Sequence, residues 1–171
     1  MTKRKLQIGA LAIAASCSFN AMATDDDYFG VAAAATPITV VNPGFEADGA
    51  NVASPYGWTS VGNSDADFLE WGGQSSENSY RLSHWGGSDY SVATTQTVAG
   101  LNKGWYTLRA WGRRSTGQTE AYLTLNCGKG AERVDLPAAW SGQWVQVAVS
   151  AEVKSRNGQC TIGLHTDGAA G

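Results

Sequence analysis

Gly104-Trp105-Tyr106-Thr107-Leu108-Arg109-Ala110-Trp111-Gly112-Arg113-Arg114 alternates without interruption. In an extended chain Tyr106, Leu108, Ala110 and Gly112 fall on one side, and Trp105, Thr107, Arg109, Trp111 and Arg113 on the other. A period of two with one apolar and one polar-aromatic face predicts a half-buried β-strand over Gly104–Arg114. The turn Ser115-Thr116-Gly117 follows. Beyond it Ala121, Leu123, Leu125 and Cys127 share one parity while Glu120, Tyr122, Thr124 and Asn126 share the other, which completes a hairpin.

The pattern continues outward in both directions. Val145, Val147 and Val149 alternate with polar or small residues, as do Cys160, Ile162 and Leu164. Earlier runs at Ile38–Val41, Gly57–Ser60, Phe68–Trp71, Tyr80–Trp85 and Ser91–Val98 are separated by Gly, Asn, Asp and Ser turns. No amphipathic helix interrupts them. Short strands at this spacing predict an all-β protein, a β-sandwich jelly roll with about ten strands in two sheets.

The N-terminus reads differently. Thr2-Lys3-Arg4-Lys5 is basic, Leu6–Ala15 is a short apolar run and Ala21-Met22-Ala23 is a small-x-small site, the pattern of a secretory signal peptide over residues 1–23. The run is shorter than the roughly 20 residues of a bilayer-spanning helix, so no membrane span is expected. Cys17 after Ala14-Ala15-Ser16 faintly matches a lipoprotein box, a minor alternative to a freely secreted product. Residues 24–37 carry three acids and then an alanine run, and are expected to form a flexible lead-in, with a short helix over Val31–Ala35 as the rival. The remaining module is expected to run from 38 to 171. The final Asp167-Gly168-Ala169-Ala170-Gly171 is loop-like, so the sandwich is expected to lack its last strand.

Of 171 residues 43% are apolar and 16% charged, with a net charge of −3 that becomes −6 once Lys3, Arg4 and Lys5 are removed. That balance offers no basic footprint for nucleic acid. Past residue 23 only Cys127 and Cys160 remain. An even count in an exported chain favours a disulfide, and both lie on the apolar parity of their strands, which supports a core-facing Cys127–Cys160 bridge.

The chain holds 7 Trp but only 2 His, and no Gly-x-Ser-x-Gly, His-x-x-His or Cys-x-x-Cys spacing occurs, so acyl transfer and zinc chemistry are poorly supported. Asp65, Asp67, Glu70, Glu77 and Asp89 lie close in sequence, and two such carboxylates at the right separation could hydrolyse a glycoside. The stronger constellation is Trp71, His84, Trp85 and Trp111 with Arg81, Arg109 and Arg113. Trp presents a flat apolar face to the C–H side of a sugar ring, and Arg a planar fork for hydroxyls. Arg109, Trp111 and Arg113 recur about 6.8 Å apart along their strand, close to the length of one sugar unit. The competing reading is that Trp111 covers the sheet with the Arg stems beside it. His84 shares parity with Leu82 and could equally be a satisfied core histidine. Trp58, Trp140 and Trp144 are expected to pack, and Trp105 to sit at the rim.

Asn42-Pro43-Gly44-Phe45-Glu46, Gly57-Trp58, Glu70-Trp71-Gly72-Gly73, Leu82-Ser83-His84-Trp85, Gln96-Thr97-Val98 and Gly104–Trp111 follow one another in order. Over about Ile38 to Gly171 these motifs resemble the β-sandwich carbohydrate-binding modules of bacterial endo-β-1,4-galactanases, carbohydrate-binding module family 61. The resemblance implies a polysaccharide partner, β-1,4-galactan, and a catalytic domain of glycoside hydrolase family 53 in the same polypeptide. It implies no cofactor for catalysis. Related jelly rolls hold a structural Ca²⁺ between the glutamate of the opening motif, here Glu46, and acids near the end, part of which this sequence lacks. Two other functions stay open: a sugar-cleaving jelly roll using two of Asp65, Asp67, Glu70 and Asp89, and an adhesive surface domain whose aromatics meet a protein.

Overall fold

The computed structural model describes residues 11–22, 39–73, 79–128, 130–138 and 143–169. Ten strands among them form two five-stranded sheets. In chain order they are β1 (Leu11–Met22), β2 (Thr59–Gly62), β3 (Asp67–Trp71), β4 (Tyr80–His84), β5 (Tyr90–Leu101), β6 (Gly104–Arg113), β7 (Gln118–Asn126), β8 (Ala131–Asp135), β9 (Val145–Val153) and β10 (Gly158–Gly168). The first sheet has the order β3-β4-β1-β6-β9 and the second β2-β5-β10-β7-β8. Every ladder is antiparallel. Among the described residues no helix is long and apolar enough to cross a membrane.

The alternation of β6 is realised as expected. Tyr106, Leu108 and Ala110 are buried, and they meet Leu69, Leu82 and Val149 of their own sheet and Val98, Leu123, Leu125, Ile162 and Leu164 of the other in one core. β6 thus gives one face to the interior and one to the outside, the arrangement that lets an antiparallel sandwich enclose its core. Cys127 and Cys160 are disulfide-bonded, with Cys160 fully buried. The outermost strands are blunted. β2 is four residues long, and β8 carries Glu132, Arg133 and Asp135, which discourages pairing with a further chain.

Two expectations about the N-terminal half change. Leu11–Met22, within the segment that reads as a signal peptide, is the central strand of the first sheet, with Leu11–Ile13 paired to His84–Leu82 and Ala12–Met22 to Arg113–Trp105. Its apolar, small-residue composition suits a pleated strand as well as an export signal. The described part of Ile38–Val41, in contrast, forms no strand. The backbone N–H of Val41 donates to Gln96 Oε1 at 2.8 Å, and Gln96 Nε2 donates to the carbonyls of Val41 (3.0 Å) and Gly57 (2.7 Å). One inward-pointing amide therefore satisfies backbone groups that a neighbouring strand would otherwise take. Ile38 itself and the lead-in at 24–37 lie outside the described residues, as do Glu77 and Trp140.

The opening motif is a plug rather than a strand. Asn42 and Phe45 adopt positive φ (49° and 62°), a conformation that Asn tolerates through local hydrogen bonds. Asn42 Oδ1 accepts from Ala47 N–H at 3.0 Å, and Phe45, 1% exposed, packs against Trp58 with ring centroids 5.2 Å apart.

Candidate functional site

The outer face of the first sheet carries most of the residues expected to meet a ligand. On β3 and β4 the pairing Phe68–Ser83 and Glu70–Arg81 faces outward, because Leu69–Leu82 between them faces the core. On β6 the outward set is Trp105, Thr107, Arg109, Trp111 and Arg113, opposite Glu152, Ser150, Ala148 and Gln146 for the first four. β1 lies between the two halves, its Ala12 in register with both Ser83 and Arg113 and its Ala14 with Trp111. The registers therefore place Arg81, Trp111 and Arg113 around one patch, with Arg109 one step further along β6.

This patch is ordered by charge. Arg81 Nη2 lies 2.9 Å from Glu70 Oε1, its Nε donates to the same oxygen at 3.1 Å and its Nη1 to the Gly72 carbonyl at 2.6 Å. Ser83 Oγ also donates to Glu70 Oε1, at 2.5 Å. A side chain held by three partners loses little freedom on meeting a ligand, which lowers the entropic cost of binding. Arg113 lies 4.9 Å above the ring of Trp144. Burial, with the neighbouring Arg81 cation adding to it and Glu70 opposing, lowers the Arg113 pKa from its usual value, and the guanidinium stays protonated at neutral pH. The resulting surface combines flat rings with fixed donors and one acceptor carboxylate.

Trp85 is 39% exposed and follows Ser83 in outward alternation just beyond β4. Trp71 is more exposed, at 68%, but belongs to the inward parity of Leu69 and contacts Tyr80 edge-on at 5.7 Å. Trp71, level with Tyr80, and Trp85 mark opposite ends of the β3–β4 hairpin, about 17 Å of strand apart. They do not form one platform with Trp111.

His84 is corrected. It is 0% exposed on the core side of β4, with Nδ1 3.0 Å from Thr166 Oγ1, Nε2 2.7 Å from Thr94 Oγ1 and Asp67 Oδ1 3.7 Å away. Burial, aided by the charge of His165, pushes its pKa down to about 3. A neutral imidazole sealed inside the sandwich does not reach a sugar hydroxyl.

Of the carboxylates, the Asp67–Glu70 pair fails on geometry. Asp67 faces inward, fully buried and hydrogen-bonded by Ser60, while Glu70 faces outward. Three residues apart on a strand, they lie on opposite sides of the sheet and cannot share a glycosidic bond. Burial raises the Asp67 pKa, with the Ser60 and Thr94 hydroxyls opposing. Glu46, expected as a calcium ligand, accepts the Tyr80 N–H at 2.9 Å. Among the described residues no group of three or more His, Cys, Asp or Glu is placed to hold a metal ion.

Two residues of this face were assigned elsewhere by the sequence. Trp144, read as packing, lies beneath Arg113; Trp105, read as rim, stands 48% exposed on the outer face. The parity of β6 already placed Trp105 with Trp111.

No family model and no curated protein matches this chain. Among solved structures, one aligns over 80% of this chain and 91% of its own, with a TM-score of 0.57 and 19% identity. The fold is similar to that of TmCBM61. That structure was solved in complex with β-1,4-galactotriose.

Proposed function

We propose that this chain is a non-catalytic carbohydrate-binding module for β-1,4-galactan and that it binds along the outer face of the first sheet. Trp111 and Trp85 supply apolar platforms for the C–H faces of galactose, Arg81, Arg109 and Arg113 donate to ring and exocyclic oxygens, and Glu70 accepts from hydroxyls. The observation that carries the reading is the placement of Glu70, Arg81, Trp111 and Arg113, all partly exposed, on the outer face of one sheet. The similarity of the fold to a galactotriose-bound module supports galactan as the ligand. Trp71 is a rim contact at most, since it stands apart from the patch.

The module acts by proximity: tethered to a glycoside hydrolase family 53 catalytic domain, it raises that domain's concentration at the polymer. Residues 1–23 carry the pattern of an export signal, and outside the cytoplasm the Cys127–Cys160 bridge persists; the binding face proposed is that of the chain that keeps β1 between β4 and β6. Native electrophoresis of the protein through gels with embedded β-1,4-galactan, xylan or a cellulose derivative tests the reading. Retardation by galactan alone is expected; equal mobility in all gels by a folded sample overturns it.

A further inference from the structure

Trp105 stands on the same outward row as Trp111, yet nothing in the patch around Arg81 and Glu70 uses it. Six residues of extended strand separate the two rings, roughly 20 Å or about three repeats of the ~6.8 Å spacing that matches one sugar unit, so a chain stacked on both rings places one sugar on the first and the third sugar beyond it on the second. The surface between them on β6 and β9 is polar and carries Arg109, and the β1 ladder beside it shifts register between Ala14 and Ser18. Thr107 Oγ1 and Ser150 Oγ are hydrogen-bonded to each other across β6 and β9 at 2.8 Å, Ala148 lies opposite Arg109, and Ala148 and Ser150 are exposed. At the far end Glu152, in register with Trp105, is paired to Lys154 at 3.3 Å, so an acceptor and a donor stand at that end of the row.

Trp105 leaves 48% of its surface in water, a flat apolar face open to a stacking partner. We propose that Trp105 is a second, distal stacking platform and that the binding face is a lane along β6 that takes a chain longer than three sugar units. The inference rests on the galactan-binding reading above and names the length of ligand that the face requires. A trisaccharide held at the Trp111 end stops short of Trp105; a longer chain passes over the Thr107–Ser150 pair and reaches it. Affinity therefore rises again once the chain is long enough to touch both rings.

Isothermal titration of the intact protein with β-1,4-galacto-oligosaccharides of two to six units tests this. For the unmodified protein affinity is expected to climb about tenfold between the trisaccharide and the hexasaccharide, as one added stacking contact implies. Trp105→Ala removes that increment while its trisaccharide affinity changes less than twofold, and Trp105→Tyr restores most of it. Equal hexasaccharide affinity in Trp105→Ala and the unmodified protein overturns the second platform. An unmodified protein that binds no galacto-oligosaccharide at all instead overturns galactan as the ligand. Near-ultraviolet circular dichroism of the variant verifies that the sandwich is intact.

Discussion

Acid should attack this fold through His84. The imidazole is 0% exposed and held neutral, with a pKa of about 3 in the folded chain against its ordinary 6.5. Between those values the unfolded chain binds a proton that the folded chain refuses. The stabilisation is therefore complete above pH 6.5 and is lost as pH falls toward 3, at about 1.36 kcal/mol per unit. From pH 6.5, where half of the unfolded imidazole is already protonated, to 4.5 that amounts to about 2 kcal/mol, a large share of the 5–15 kcal/mol typical of a domain.

Two other groups titrate nearby. Asp67 has the opposite sign: burial raises its pKa, so the folded state keeps a proton that the unfolded state releases, and its contribution is greatest at low pH and fades as pH rises. It flattens the acid slope of the unmodified protein. His165 has its pKa lowered by burial, with Asp167 opposing, and adds to the His84 slope. Urea denaturation of Asp67→Asn in a His165→Gln background, followed by tryptophan fluorescence at pH 6.5, 5.5 and 4.5, isolates His84. A loss of about 2 kcal/mol is expected, together with an imidazole NMR signal that stays neutral in the folded protein throughout. A flat stability over this interval, or a folded-state His84 that titrates near 6.5, would refute the reasoning.

Further outcomes follow from the packing. Gly168→Ala would put a Cβ 2.1–2.7 Å from the Tyr90 ring, so thermal unfolding should shift downward by several degrees, whereas Gly87→Ala, with nothing within 4 Å, should not. Reducing Cys127–Cys160, which closes a separation of 33 residues, should cost up to about 4 kcal/mol in denaturant titrations. Cleavage after Ala23 removes the backbone partner of Leu82–His84 and Trp105–Arg113; hydrogen exchange should then accelerate in β4 and β6 but not in β5 or β10. Trp111→Ala should weaken galactan binding at least tenfold in affinity gels while leaving the melting temperature within about 2 °C, because its ring lies on the outer face.

Much of this was legible in the alternation of single strands. The parity of β6 separated Tyr106, Leu108 and Ala110 from Trp105, Arg109, Trp111 and Arg113, and the parity of the strands bearing Cys127 and Cys160 turned both sulfurs inward. Parity of two is a local rule that tertiary packing seldom overrides when one face must be dry. Strand neighbours were not legible. That Leu11–Met22 lies between β4 and β6 depends on pairings with residues more than 60 positions away, and its apolar run fits two fates equally well. Gln96 replacing a strand partner for Val41 is likewise a long-range side-chain effect. His84 was ambiguous for a related reason: its parity with Leu82 pointed inward, but only Thr94 and Thr166, from distant strands, make a buried imidazole tolerable. Trp71 misled because it sits at a strand end, where exposure no longer follows parity.

The claim most open to direct test is the location of the ligand. Adding β-1,4-galactotriose to isotopically labelled protein and recording amide chemical-shift changes reads it residue by residue. Changes centred on Arg109–Arg113 and Arg81–Trp85 are predicted, with the outer face of the second sheet around Tyr122, Gly163 and His165 silent; changes confined to that second sheet, or none, would contradict the account.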